Sequence, residues 1–146
     1  MKILFVCRGN VGRSQMAAAL FDQMTDGRHE VSSAGTQVVN KAGESRDGQS
    51  FKDMQSGIEH VIGALKEKGI DASNSIRRQL KPEMADQADL IVVMAEPKTI
   101  PDYLNNSDKV TYFEVEDPKD TSFEKHKEVR DKIEQFLEGF IQERHL

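Results

Sequence analysis

At 146 residues, with 37% hydrophobic and 31% charged content, the chain is long enough for one ordinary globular core and too short for two. Its 20 basic residues are outnumbered by 25 acidic ones. The formal charge of −5 argues against a nucleic-acid or anionic-membrane surface, because neutralising phosphates takes an excess of cations. A single cysteine excludes an internal disulfide framework and any cysteine-built structural zinc site, which makes the cytosol the expected compartment.

Lys2-Ile3-Leu4-Phe5-Val6-Cys7 is a continuous apolar run ended by Gly9 and Asn10. A run without alternation suits a strand buried on both faces of a parallel sheet. It is also far too short for a secretory h-region or a membrane span. No prenylation box stands at Glu143-Arg144-His145-Leu146. Gln15 to Thr25 predicts a helix, with Met16, Leu20 and Met24 on one face and Gly27 ending it. His29 to Ala34 predicts a second strand, closed by Gly35. Residues 36–50 lack hydrophobic periodicity and predict a mobile surface loop.

Ser50, with Asp53 as a capping-box-like partner, predicts the start of a helix carrying Phe51, Met54, Ile58, Val61, Ile62 and Leu65, stopped by Gly69. Pro82 and Pro97 each suit the first turn of a short helix. Ala88 to Ala95 predicts a third buried strand and Lys109 to Val115 a fourth. Thr121 with Glu124 predicts a capping box for a last helix that buries Val129, Ile133, Phe136, Leu137, Phe140 and Ile141. Strands alternating with helices imply a single doubly wound α/β domain over residues 1–146, with right-handed crossovers around a parallel sheet.

In open α/β sheets, ligands sit beyond the carboxyl ends of the strands. The first strand-to-helix turn reads Cys7-Arg8-Gly9-Asn10-Val11-Gly12-Arg13-Ser14. Its backbone N–H groups can converge on one tetrahedral oxyanion, and the helix that follows adds its positive end. Arg13 offers a planar fork to two anion oxygens. The same field favours the thiolate of Cys7, the nucleophilic form, and Ser14 is placed to donate a hydrogen bond to the sulfur. Taken singly, these residues have plainer readings. A cysteine ending a buried strand is usually a small hydrophobe, and Arg-Ser at a helix start is often only a cap. A Walker A loop does not fit, since Cys7 occupies the place of its first glycine and Arg13 that of its lysine.

Cys-x5-Arg-Ser after an apolar strand and before an amphipathic helix resembles the active-site loop of the low-molecular-weight protein tyrosine phosphatases and of the arsenate reductases that share their fold. Ser33-Ala34-Gly35-Thr36 resembles the family's Ser-Ala-Gly segment, and Ser75-Ile76-Arg77-Arg78-Gln79-Leu80 its Arg-rich turn. Ala88 to Met94 resembles the buried strand that follows. Asp117-Pro118 stands where the family keeps its Asp-Pro loop, although Asp-Pro alone is also a common turn initiator. The resemblance runs through nearly the whole chain in the right order.

It implies a three-layer α/β/α fold with a central four-stranded parallel sheet and flavodoxin-like winding. It also implies a cysteine-dependent phosphatase that works through a phosphocysteine. Cys7 is the expected nucleophile, Arg13 and the amides of Arg8, Gly9, Asn10, Val11, Gly12 and Ser14 the phosphate cradle, and Asp117 the acid and then the base. The resemblance also gives Asn10 the task of pinning the cradle against the Ser33 region. Neither a metal nor another cofactor is needed, because the amides and Arg13 already neutralise a phosphate. The expected partner is a phosphorylated protein, a small phosphoester or arsenate, with no nucleic acid or membrane, and the chain is expected to be a monomer.

Three departures from the family's pattern stand out. Gly12 replaces the second loop cysteine of many members, Lys119-Asp120 follow Asp117-Pro118 where tyrosines are usual, and residues 36–50 contain no aromatic. Gln15 after Arg13-Ser14 is more like the reductases. A reductase relaying a disulfide to thioredoxin needs two further cysteines, so the reductase reading that survives uses an external small thiol. A non-catalytic oxyanion-binding module is the third reading, and it would need neither Cys7 nor Asp117. His29, His60, His126 and His145 lack ligand spacing and read as surface residues. Arg77, Arg78, Lys41, Arg46 and Asp47 read equally as solvated residues or as the approach to the pocket.

Overall fold

The N-terminal apolar run forms β1 (Lys2–Cys7), and its neighbours explain why it shows no alternation. In the computed structural model, which describes residues 1–105 and 107–146, β1 lies inside a four-stranded sheet. It pairs in parallel with β2 (Glu30–Gly35) on one side and β3 (Leu90–Val93) on the other, and β3 pairs in parallel with β4 (Val110–Tyr112). The order β2-β1-β3-β4 is the expected three-layer α/β/α arrangement. Ile3, Phe5 and Cys7 project into a cluster with α1 (Arg13–Met24), α2 (Glu59–Lys66) and α4 (Phe123–Arg144). Leu4 and Val6 project the other way, onto Ala85 of α3 (Pro82–Gln87) and onto Leu104. Both faces are covered, so every position from Ile3 to Cys7 has to be apolar. Phe5 and Phe21 are fully buried with ring centroids 5.5 Å apart. Each contributes on the order of 1.5–3 kcal/mol by leaving water.

Several local expectations give way to tertiary contacts. The helix expected from Ser50 is a 3-10 turn at Phe51–Asp53, and α2 begins only at Glu59. Ser50 forms an antiparallel bridge with Ile76, and the Phe51 N–H donates to the Ser75 carbonyl. The backbone there is committed to pairing, and Gly57 at φ 89° then interrupts any helix before α2. Ser50 does cap, but for the Lys52 N–H.

At α4 the cap is Ser122, whose hydroxyl accepts from the Lys125 N–H at 3.1 Å. Thr121, the expected cap, instead donates its hydroxyl to the Pro118 carbonyl. Residues 36–50 are pinned, in contrast to the mobile loop that their composition predicts. Val38 is buried, its carbonyl accepts from the Arg46 N–H, and the Gln79 side chain bonds both the Val38 N–H and the Thr36 carbonyl. His126 lies in the interior as well, with Nδ1 2.8 Å from the Ser122 carbonyl, so the surface reading fails for it. β3 and β4 are shorter than the apolar runs that predict them, because only part of each run meets a neighbouring strand.

Candidate active site

The parallel register sets Cys7 beside Gly35 at the carboxyl ends of β1 and β2. From there the chain turns through residues 8–12 into α1. Gly12 is the N-cap of that helix and supplies no side-chain cap, and the first turn holds no acidic residue. The leading N–H groups of α1 therefore have no intrahelical acceptor and point at the concave side of the turn. Cys7 is buried with Sγ 2.9 Å from the Ser14 hydroxyl, the contact expected from the sequence.

Asn10 gives the turn its shape. Its φ of 55° is left-handed, a conformation that asparagine tolerates better than most residues. Its side chain donates to Ser14 Oγ at 2.8 Å and to Ser33 Oγ at 3.0 Å, and it accepts from the Arg78 N–H at 2.8 Å. The loop is thereby tied to β2 at Ser33, the contact that the resemblance implies, and also to the Arg-rich turn.

The segment after β2 clamps the same backbone. Thr36 N–H donates to the Cys7 carbonyl and Gln37 N–H to that of Arg8, both at 2.9 Å. That approach leaves no room for a side chain at residue 35. A Cβ on Gly35 would lie 2.6 Å from the Arg8 carbonyl oxygen and 3.0 Å from the Asn10 nitrogen.

Arg13 is buried and braced from behind. One terminal nitrogen, Nη1, donates to the Met94 carbonyl at 2.7 Å and to that of Val115 at 3.3 Å. The other, Nη2, donates to Glu96 Oε1 at 2.8 Å and lies 3.5 Å from Asp117 Oδ2. Those contacts leave Nε and one Nη2 hydrogen for the cradle. Asp117 itself is part-exposed, with Oδ1 accepting from the Lys119 N–H. Pro118 sits over the loop, since a Cβ on Gly12 would be 3.8 Å from its ring. Cys7, Arg13, Ser14 and Asp117 are thus gathered at one end of the sheet.

Glu116, beside Asp117, is turned away. Lys132 and Lys125 bond its carboxylate and hold it down to about 2.

Three residues carry more of the site than their sequence context suggested. Glu96 braces Arg13, and its Oε2 is buried with no hydrogen-bond partner. Burial pushes this carboxyl up, but its own backbone N–H and Arg13 outweigh that and leave it below the ordinary value. Its place just past the end of β3, where sheet ligands bind, was the available signal. Arg77, readable as a solvated turn residue, is buried and donates Nε and Nη2 to the Gly9 carbonyl at 3.1 and 3.0 Å and Nη1 to Gln49 Oε1 at 2.8 Å. Burial lowers its affinity for a proton, and the neighbouring Cys7 restores part of it. Gln15 donates to the Asn10 and Ile76 carbonyls, which fixes the far side of the turn. Phe51 is fully buried in the core and does not line the mouth. Among the described residues, no group of His, Cys, Asp and Glu is arranged to hold a metal ion.

Comparison with known proteins agrees with this geometry. Residues 2–145 match the family model described as low molecular weight phosphotyrosine protein phosphatase. The chain is 30% identical to a protein-arginine-phosphatase of Bacillus subtilis over 94% of its length and 92% of the relative's. It is 29% identical to arsenate reductase 2 of Staphylococcus epidermidis over 94% of both. Among solved structures, the YwlE arginine phosphatase of Geobacillus stearothermophilus superposes with a TM-score of 0.75 at 29% identity, over 99% of this chain and 92% of that one. A low molecular weight protein tyrosine phosphatase of T. tengcongensis gives 0.77 at 25% identity, over 98% and 99%. From the cradle behind Cys7 to the Asp-Pro loop above it, and along nearly its full length, the chain belongs to the low molecular weight phosphotyrosine protein phosphatase family.

Proposed function

We propose that this protein, acting as one domain over residues 1–146, hydrolyses a phosphomonoester by transferring the phosphoryl group to Cys7 and then to water. One observation carries the reading. Cys7 Sγ sits 2.9 Å from Ser14 Oγ at the mouth of an uncapped helix N-terminus, with Arg13 braced beside it. The Cys7 thiolate attacks phosphorus in line, forming the S–P bond as the P–O bond to the leaving group breaks. Charge spreading over the equatorial oxygens meets the Arg8 to Ser14 amides and the free Arg13 donors. Asp117 protonates the departing oxygen, then takes a proton from the water that cleaves the phosphocysteine and releases phosphate. Ser14 stabilises the thiolate as it leaves. A structure similar to this chain, a cysteine-to-serine mutant of YwlE arginine phosphatase with a phosphorylated active-site serine, supports a covalent route.

The test is hydrolysis of an aryl phosphate between about pH 5 and 7 with no metal added, a range set by a thiolate and a carboxylic acid. Wild type is expected to turn over, and Cys7→Ser to fall below about one-thousandth of that rate. Equal rates for the two would overturn the reading.

A second reading rests on the arsenate reductase relative and on Gln15, which after Arg13-Ser14 is more like the reductases. Arsenate has the shape and charge of phosphate and fits the same cradle, and two equivalents of a small external thiol would reduce the adduct on Cys7, releasing arsenite and the thiol's disulfide and returning Cys7 as the thiolate. It leads if a folded protein fails on aryl phosphates yet reduces arsenate with glutathione. On either reading the protein works as a cytoplasmic monomer without nucleic acid or membrane. Among the described residues, no helix is long and apolar enough to cross a membrane.

A further inference from the structure

The distribution of ion pairs around the cradle suggests what the substrate carries beyond its phosphate. The chain has eight arginines. Among the described residues, Arg13, Arg28, Arg130 and Arg144 each pair with a carboxylate. The remaining four, Arg8, Arg46, Arg77 and Arg78, make no such pair, and all four stand on segments hydrogen-bonded around the Cys7 loop.

The segments form a closed series. Gln37 N–H donates to the Arg8 carbonyl, Arg46 N–H to that of Val38, Gly48 N–H to that of Arg77, and Arg78 N–H to the Asn10 side chain. Arg77 lies under the loop and feels the charges of both Cys7 and Arg46. Arg8 and Arg78 are exposed and Arg46 is half-buried. The acids nearby have closer partners, although Asp47 also feels the charge of Arg78 and Glu96 that of Arg8. Glu96 holds Arg13, Asp47 accepts from the Gln79 N–H and pairs with Lys81, and Glu44 bonds Asn40.

Clustering like charges in a chain of net charge −5 gains nothing for the fold, and the scissile phosphate is already met by Arg13 and the loop amides. Residues 36–50, which border the mouth, offer no aromatic side chain to a bare phenyl ring.

We propose that the arginine rim formed by Arg8, Arg46 and Arg78 binds carboxylates flanking the phosphorylated residue, so that the preferred substrate is an acidic phosphopeptide segment of a protein. This rests on the phosphatase reading above. The three arginines stand on separate segments hydrogen-bonded around the Cys7 loop, and Arg8, whose Nε bonds Gln37 Oε1, keeps its terminal nitrogens. An extended peptide presents charges at successive positions and so suits arginines on separate segments. Complementary rim charge acts chiefly on encounter and falls with salt.

The experiment compares the intact protein on four probes at low ionic strength: a phosphotyrosine peptide flanked by Asp and Glu, the same peptide flanked by Ala, a sugar bisphosphate, and p-nitrophenyl phosphate. The acidic peptide is expected to have a kcat/KM about 5–30-fold above the neutral one, shrinking several-fold by about 0.5 M salt. Arg46→Ala/Arg78→Ala should erase most of that preference while p-nitrophenyl phosphate is hydrolysed as before. Three results would overturn the rim assignment with the phosphatase intact: equal turnover of the two peptides or none of either, a preference that survives the double variant, or a sugar bisphosphate outrunning both peptides. Loss of p-nitrophenyl phosphate turnover in folded wild type would instead remove the phosphatase reading itself.

Discussion

At the scale of single residues, the site is made by backbone proximity as much as by reactive groups. Gly35 is the clearest case. Its φ is unremarkable, yet a Cβ there would come within 2.7 Å of Val38 Cγ2 as well as 2.6 Å of the Arg8 carbonyl. Both neighbours are held, one in the core and one in the cradle, so neither yields cheaply. Gly35→Ala is expected to lower stability by about 1–3 kcal/mol through overpacking. It should also lower aryl phosphate kcat/KM more than tenfold, because the displaced atom belongs to the phosphate loop. Urea melts together with steady-state rates check this. A variant with wild-type rates would show that the two segments move apart freely. Cys7, Arg13, Ser14 and Asp117 were legible as residue types at the right spacing. Glu96 and Arg77 were not, because each acts through a contact with a residue far along the chain: Arg13 Nη2 for the first, the Gly9 carbonyl for the second.

At the scale of elements, period and capping chemistry located α1, α4 and β1 well, and they misjudged the second helix. The apolar spacing from Phe51 to Leu65 is helical, but Ser50 and Phe51 gain more from bonding to the strip at Ser75 and Ile76. Tertiary pairing overrode local propensity. The start of α4 makes a similar point, since two hydroxyls stand side by side there and it is Ser122, on an extended backbone, that accepts from Lys125 N–H. Ser122→Ala is expected to cost about 0.5–2 kcal/mol. Thr121→Ala should cost less, because its hydroxyl bonds a turn carbonyl rather than an orphaned helix N–H. Thermal melts of both variants decide this, and the reverse order would return the cap to Thr121.

At the scale of the whole molecule, the Asp-Pro loop is moored to the last helix by charge. Glu116 reaches Lys125 and Lys132, both on α4, and its carboxyl drops from 4.5 to about 2. A group whose folded value is depressed stabilises above its unfolded value and loses that contribution as pH falls through the folded one. The gap in Tm between wild type and Glu116→Gln is therefore expected to be constant above about pH 5, to narrow between about 4.5 and 2, and to close below. It should also shrink in about 1 M salt, because the pair is exposed. A gap that persists at pH 2 would mean the glutamate acts by packing. The parallel α/β architecture and the Cys-x5-Arg-Ser cradle are legible in the residue order, because strand burial, helix period and loop chemistry are properties of neighbouring residues. That Glu96 and two backbone carbonyls brace Arg13, and that residues 36–50 lie pinned beside the cradle, emerges only in three dimensions. Those relations join segments tens of residues apart, and their energies depend on distances that no local pattern encodes.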